Sequence, residues 1–206
     1  MSILLAVKRG DTIYMGSDTR VVVGDHKRNE TRGCNLKIQK LDNGILLGIT
    51  AERLERQTVI AYSDIFTLDK AGRLTRKHIV KEIIPRLIAL MEEENLMVKK
   101  EGEYPYMKAQ ILLAYKDTMY EICSSFTVIK YEDFQVLGEV ADFAHSTMLN
   151  TKPTDDIKQR IIKALDIVAK NSQYVGRPYV LIDTKDMKYE FVLDEWKELQ
   201  KELQGE

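Results

Sequence analysis

Apolar residues fall in short runs over the first fifty positions and at helical spacing afterwards. Residues 3–7 and 12–16 have the length and branching of two strands joined by Arg9-Gly10-Asp11, whose glycine accepts the φ angles of a tight hairpin. Residues 36–41 and 45–49 form a second strand pair around Asp42-Asn43-Gly44, and Asn-Gly is the strongest short turn signal in the chain. From Ala51 the period changes to that of a helix. A second helical stretch over residues 77–94 places Ile79, Ile83, Leu87 and Leu90 on one face, and Pro85 within it predicts a kink or a break. Residues 92–103 are rich in charge without periodic apolar positions, which predicts a solvated helix end and loop. Strand-like runs resume at 110–115, 119–123 and 126–131. Helical patterns follow at 141–149 and 155–170; in the latter Ile157, Ile161, Ala164, Leu165 and Val168 form the buried stripe, with Pro153-Thr154 as the start. Residues 179–182 and 190–193 read as closing strands before a polar C-terminal helix. The order strands, two helices, strands, two helices, strands predicts an α+β fold with two packed sheets flanked by helices.

Composition narrows the class. A chain of 206 residues with 44% hydrophobic content can bury one full core, so one domain over 1–206 is the default. Its 31 basic and 32 acidic residues balance, which gives no general electrostatic reason to expect nucleic acid or an anionic membrane as partner. Cys34 and Cys123 are too few for a disulfide framework and fit a reducing cytoplasm. The first apolar run is too short, and too soon followed by Lys8 and Arg9, for a signal peptide, and no run approaches a membrane span. A cytoplasmic protein is expected. His26, His78 and His145 are scattered and neither cysteine has a ligand spacing, so no metal site is expected. Neither a G-x-x-x-x-G-K-[ST] phosphate loop nor a G-x-G-x-x-G fingerprint occurs, so no cofactor is expected and energy-dependent unfolding would need a separate ATPase.

The candidate chemistry lies at the N-terminus. Ser2 follows the initiator methionine, and its small side chain permits removal of Met1. The new terminus would carry a hydroxyl nucleophile beside an α-amine with a reference pKa of roughly 7.7 to 8.0, partly neutral at physiological pH and able to act as a general base without a histidine. Asp18, within Gly16-Ser17-Asp18-Thr19-Arg20, and Lys37 follow in the same strand-rich segment. Singly, an aspartate after a strand is usually a turn residue and a lysine near a strand start is usually solvated. Their joint spacing carries the signal.

These residues resemble the N-terminal nucleophile hydrolases of the proteasome β-subunit type, and among them most nearly the bacterial HslV-type peptidases. The likeness is best over residues 2–59 and 134–176. The family's terminal nucleophile lies sixteen residues before an aspartate, as Ser2 does before Asp18. Its catalytic lysine opens a Lys-x-x-x-Leu strand, which Lys37-Ile38-Gln39-Lys40-Leu41 fits with a short insertion in the loop over 26–33; this favours Lys37 over Lys40. By resemblance, Lys37 would favour the deprotonated nucleophile and Asp18 would hold the lysine in place. The family's glycine turn before its first long helix, which supplies an oxyanion-binding N–H, is Ile49-Thr50-Ala51-Glu52 here. Ala51 keeps the N–H, but its methyl would narrow the pocket.

Other positions depart from the family. Its Gly-Ser-Gly turn appears as Leu137-Gly138-Glu139-Val140, and a carboxylate at Glu139 would pair with the α-ammonium or Lys37 and keep the amine charged, a poor base. The Asp-x-x-Ser-Gly motif is replaced by Ser172-Gln173-Tyr174-Val175-Gly176, although Ala164-Leu165-Asp166-Ile167 before it resembles the HslV type. The resemblance implies a four-layer αββα sandwich of two antiparallel sheets, homo-oligomeric rings, a separate ATPase unfoldase as partner and a peptide or unfolded-protein substrate. Three readings stand: a peptidase subunit using Ser2, Asp18, Lys37 and Ala51, with Glu139 weakening or abolishing activity; a non-catalytic proteasome-like scaffold; and an amidase for a small substrate.

Overall fold

The alternation in the first strand decides the architecture. In β1 (Ile3–Arg9) the residues Ile3, Leu5 and Val7 face one way and Leu4 and Ala6 the other, and all five are buried. A strand buried on both faces needs a cover on each side, which helices supply on one face and a second sheet on the other. The structure is a computed structural model that describes residues 2–23, 26–29, 36–138 and 140–193.

The first sheet has the order β10-β1-β2-β11-β12, with β2 (Thr12–Asp18), β10 (Phe134–Gly138), β11 (Tyr179–Asp183) and β12 (Glu190–Val192). Its outer face packs on α4 (Ala141–Asn150) and α5 (Ile157–Asn171): Ile3, Leu5 and Val7 join Ala144, Met148, Ile161, Leu165 and Val168 in one buried cluster. The second sheet has the order β5-β6-β7-β8-β9, from β5 (Ile38–Lys40), β6 (Leu46–Thr50), β7 (Gln110–Tyr115), β8 (Thr118–Ile122) and β9 (Val128–Tyr131). Its outer face packs on α1 (Arg53–Ala61), on the π-helical turn Ile79–Ile83 that follows α2 (Arg76–His78), and on α3 (Ile84–Glu93) through Leu47, Ile49, Ile111 and Leu113. Between the sheets Leu4, Ala6, Ile13 and Met15 meet Ile38, Leu46, Leu112 and Ala114. The layers are therefore helix, sheet, sheet, helix, and every pairing within the two sheets is antiparallel.

The buried stripes expected from periodicity are in place on both helical layers, at Ile79, Ile83, Leu87 and Leu90 and at Ile157, Ile161, Ala164, Leu165 and Val168. Pro85 does not break its helix. The chain runs from α2 into α3 through a π-helical turn, Ile79–Ile83, and the wider turn accommodates a proline that lacks an N–H and whose ring would crowd the carbonyl of Lys81. The α5 start differs from Pro153-Thr154: Asp156 is the N-cap and its carboxylate accepts the Gln159 N–H at 2.8 Å.

Three strands were not expected. β10 pairs with β1 in the register Ile3↔Gly138 and carries Phe134–Gly138, a segment in which the sequence marks only the turn beginning at Leu137. β3 (Arg20–Val23) and β4 (His26–Asn29) form a separate two-stranded hairpin, β4 lying within the stretch 26–33 expected as a loop. β4 is polar throughout, so no hydrophobic alternation marks it. The charged stretch after α3 is a loop, pinned by a single bridge between Val98 and Tyr106. The expected C-terminal helix lies outside the described residues.

Candidate functional site

Strand register brings the N-terminal residues together. Ser2 precedes β1, Asp18 ends β2, and pairing of Leu4 with Ser17 sets Asp18 beside the start of β1. Asp18 Oδ1 accepts the Ile3 N–H at 3.2 Å and Oδ2 accepts the Arg20 N–H at 3.1 Å. Lys37, just before β5, is held by its own carbonyl, which accepts the Ile49 N–H of β6 at 2.8 Å. Its Nζ donates to Asp18 Oδ1 at 2.5 Å and to the Arg20 carbonyl at 3.1 Å. Lys37 is 2% exposed and Asp18 fully buried, so this ion pair sits where solvent screens it little. Burying both charges is tolerable only because each is paired and hydrogen-bonded. Lys40, the other lysine of the strand, is exposed and donates to the Met187 carbonyl, away from Asp18.

Gly138 closes the site from the first sheet. Its φ is +124°, and a Cβ there would lie 2.0 Å from the Ser2 carbonyl oxygen, so only glycine lets β10 end against Ser2. A pocket of about 240 Å³ opens beside these residues, lined by Ser2, Thr50, Ala51, Glu52, Lys108, Gln110 and Gly138. Ser2 Oγ is buried and makes no hydrogen bond to any described group, a property shared by Ser17 Oγ. A buried hydroxyl without a partner forfeits about 1–3 kcal/mol. Thus Ser2 and Ala51 share one pocket, while Asp18 and Lys37 form a pair connected to it through the Ile3 amide. Glu139 lies outside the described residues. Residues 172–176 do not line the pocket.

Sequence reasoning missed the far wall. Thr50 and Gln110 face each other across β6 and β7, and Lys108 reaches Glu52, the N-cap residue of α1, at 3.0 Å. Glu55, in the first turn of α1, accepts the Lys108 N–H at 3.0 Å and is buried. Burial raises its carboxyl above the ordinary value, with the Ala109 and Lys108 N–H groups pulling the other way. Nothing local in the sequence marks Lys108 or Gln110, which reach the site only through β6–β7 pairing. Cys123 is no alternative nucleophile: burial, with Glu121 beside it, pushes its thiol up to about 11. Among the described residues no group of three or more His, Cys, Asp or Glu side chains could hold a metal ion. No helix among them is long and apolar enough to cross a membrane.

No model of a known protein family matches the chain, and no curated protein matches it in sequence. Solved structures do match. The BPH of Thiobacillus denitrificans in complex with epoxomicin aligns with a TM-score of 0.66 and 17% identity, covering 88% of this chain and 97% of that one. Anbu from Pseudomonas aeruginosa, solved as a helical assembly, aligns with a TM-score of 0.68 and 15% identity, covering 98% and 92%. The eukaryotic HslV of Trypanosoma brucei aligns with a TM-score of 0.61 and 13% identity, covering 88% and 98%. The chain has the proteasome-like N-terminal nucleophile hydrolase fold that these neighbours share.

Proposed function

We propose that this chain is a proteasome-like peptidase subunit whose nucleophile is Ser2, exposed by removal of Met1. The observation that carries the reading is the buried Asp18–Lys37 pair, bonded through Asp18 to the amide next after Ser2, at a pocket that Ser2 lines. Ser2 Oγ attacks the scissile carbonyl carbon and passes its proton to the freed α-amine, directly or through a water. Lys37 favours the deprotonated oxygen by Coulomb attraction, and the Ala51 N–H receives the oxyanion. Collapse of the tetrahedral species breaks the C–N bond, the leaving amine takes the proton, and water then hydrolyses the Ser2 ester to regenerate the hydroxyl.

The same reading makes the subunit cytoplasmic and self-associating, in a closed ring or in an open helical array such as the Pseudomonas Anbu assembly. Substrates are peptides or unfolded chains delivered by a separate ATPase. A second reading, a non-catalytic scaffold of the same fold, is favoured by Glu139, a carboxylate where the family carries a serine. Glu139→Ser raising hydrolysis would support the account of a weakened enzyme.

Intact-protein mass after expression and incubation with epoxomicin, the compound bound in the Thiobacillus structure, separates the two. A species lacking Met1 and carrying one adduct, absent in Ser2→Ala, is expected. Retention of Met1 with no adduct overturns the peptidase reading and leaves the scaffold.

A further inference from the structure

Arg20 stands where three segments meet. Its N–H donates to Asp18 Oδ2 at 3.1 Å and its carbonyl accepts Lys37 Nζ at 3.1 Å, so its backbone touches both members of the buried pair. Its guanidinium points elsewhere: Nη1 donates to the carbonyls of Val175 at 2.9 Å and Gln173 at 3.3 Å. A Cβ on Gly176 would lie 2.2 to 2.6 Å from three guanidinium atoms, so the side chain rests directly on that glycine.

The segment that supplies those carbonyls is itself anchored. Arg177 makes a bidentate pair with Asp166 of α5, Nε to Oδ1 at 3.1 Å and Nη2 to Oδ2 at 2.8 Å, and its Nη1 donates to the Leu193 carbonyl at 3.0 Å. Tyr179 Oη donates to Asp166 Oδ1 at 2.8 Å. Pro178 accepts from both the N–H and the hydroxyl of Thr19, at 3.1 and 2.8 Å. The backbone from Asp18 to Arg20 is thereby tied to the α5–β11 connection by two successive residues.

We propose that Arg20 is a positioning residue, clamped through its guanidinium to residues 173–176, and that this clamp fixes the backbone groups that orient Lys37 against Asp18. Both carbonyls are served by the one Nη1 group, whose N–H bonds are fixed in the guanidinium plane, a direction that a rotating ammonium does not fix. The kinetic consequence rests on the peptidase reading; the coupling between Gly176 and Lys37 does not.

Two substitutions attack the same contact from opposite sides. Arg20→Ala keeps the backbone N–H and carbonyl and removes only the clamp. Gly176→Ala leaves the charge and displaces the guanidinium, at a backbone that is not in the left-handed region. Each is expected to lower kcat roughly ten- to a hundredfold, the scale of a small misplacement of catalytic groups, with KM little changed. The double variant should equal Arg20→Ala alone, because the space beside Gly176 is then vacant. Millimolar methylguanidinium should restore part of the Arg20→Ala rate and none of the Gly176→Ala rate. Additive losses, or a fall in melting temperature with kcat intact, overturn the proposal. Arg20→Gln replaces Arg20→Ala if the latter does not fold.

The resonance of the Lys37 ammonium in protein labelled with 15N-lysine provides a readout independent of turnover. Both single variants should shift or broaden it, and the double variant should match Arg20→Ala. If wild type hydrolyses nothing but this coupling is present, the peptidase reading fails and the clamp stands. If the resonance is unmoved in all variants, the clamp fails whatever the activity.

Discussion

Asp18→Asn is the substitution whose cost follows most directly from the geometry. Among the described residues the carboxylate takes three donors, the Lys37 ammonium and the Ile3 and Arg20 N–H groups, in a place without solvent. Asparagine keeps the shape but offers one acceptor oxygen, sets an NH₂ against donors, and leaves Lys37 without its carboxylate. Removing one partner of a buried pair costs about 3–5 kcal/mol, against about 0–1 for an exposed pair. For a chain of this size each kcal/mol moves Tm by about 2–4 °C, so a fall of roughly 6–20 °C is expected. Lys37→Met is milder, because the carboxylate keeps two backbone N–H donors. The double variant leaves no unmatched charge and should recover part of the loss, with a coupling of about 0.5–3 kcal/mol. Thermal and urea unfolding of the four proteins measures all of these. A loss below about 1 kcal/mol in Asp18→Asn, or strict additivity in the cycle, would show that the pair is worth no more than a surface contact.

Other expectations follow from single positions. Gly138→Ala should cost more than the roughly 1–3 kcal/mol of a strained φ, since its Cβ also meets the Ser2 carbonyl, and should abolish the Ser2 adduct; a melting temperature within 2 °C of wild type, a margin of roughly 1 kcal/mol or less, counts against this. Glu55 has a carboxyl raised by burial, so the folded state binds more protons than the unfolded one just above the ordinary value of 4.5. Its contribution to stability is therefore present at low pH and declines as pH rises through the raised pKa. Glu55→Gln, which retains an acceptor for the Lys108 N–H, should flatten that decline in denaturation series between pH 4 and 7. In a Cys34→Ser background Cys123 should react with iodoacetamide at pH 8 well below the rate of an ordinary thiol, because its pKa stands at about 11; a rate equal to free cysteine would refute that.

Much of the fold was legible because burial on both faces leaves a continuous apolar run and burial on one face leaves a period. β1, β2, β6 and β7 carry the first, α3 and α5 the second. β3 and β4 were not legible because a hairpin outside the two packed sheets has no core to pattern its residues. The π turn was not legible because Pro85 announces a perturbed helix without saying how the backbone absorbs it. Ser2, Asp18 and Lys37 could be found because the first two strands and the turn into the second sheet keep them close in sequence. Lys108 and Gln110 could not, since they reach the pocket through β6–β7 pairing, and Gly138 was marked only by its resemblance to the family's glycine turn. Glu139, which weighs most against activity, lies outside the described residues, so the choice between enzyme and scaffold falls to chemistry.

The energetics of the site bear on that choice. Replacing a buried ion pair by well-packed apolar residues is often neutral or stabilising by about 1–4 kcal/mol, so the Asp18–Lys37 pair is weak evidence of a need for stability. Beside it stand a buried serine hydroxyl without a partner among the described residues and a glycine at positive φ pressed on a carbonyl. Three costs converge at the start of one strand, and a fold whose only task is to form a surface has no use for them there. Asp18→Asn with Lys37→Met, which removes both charges and keeps an acceptor for a backbone N–H, makes the contrast testable. If the chain is an enzyme, this double variant should keep the wild-type fold and assembly state at a lower unfolding midpoint, yet take no adduct from epoxomicin where wild type takes one. If wild type takes none either, the polar constellation has no catalytic task and the scaffold reading holds.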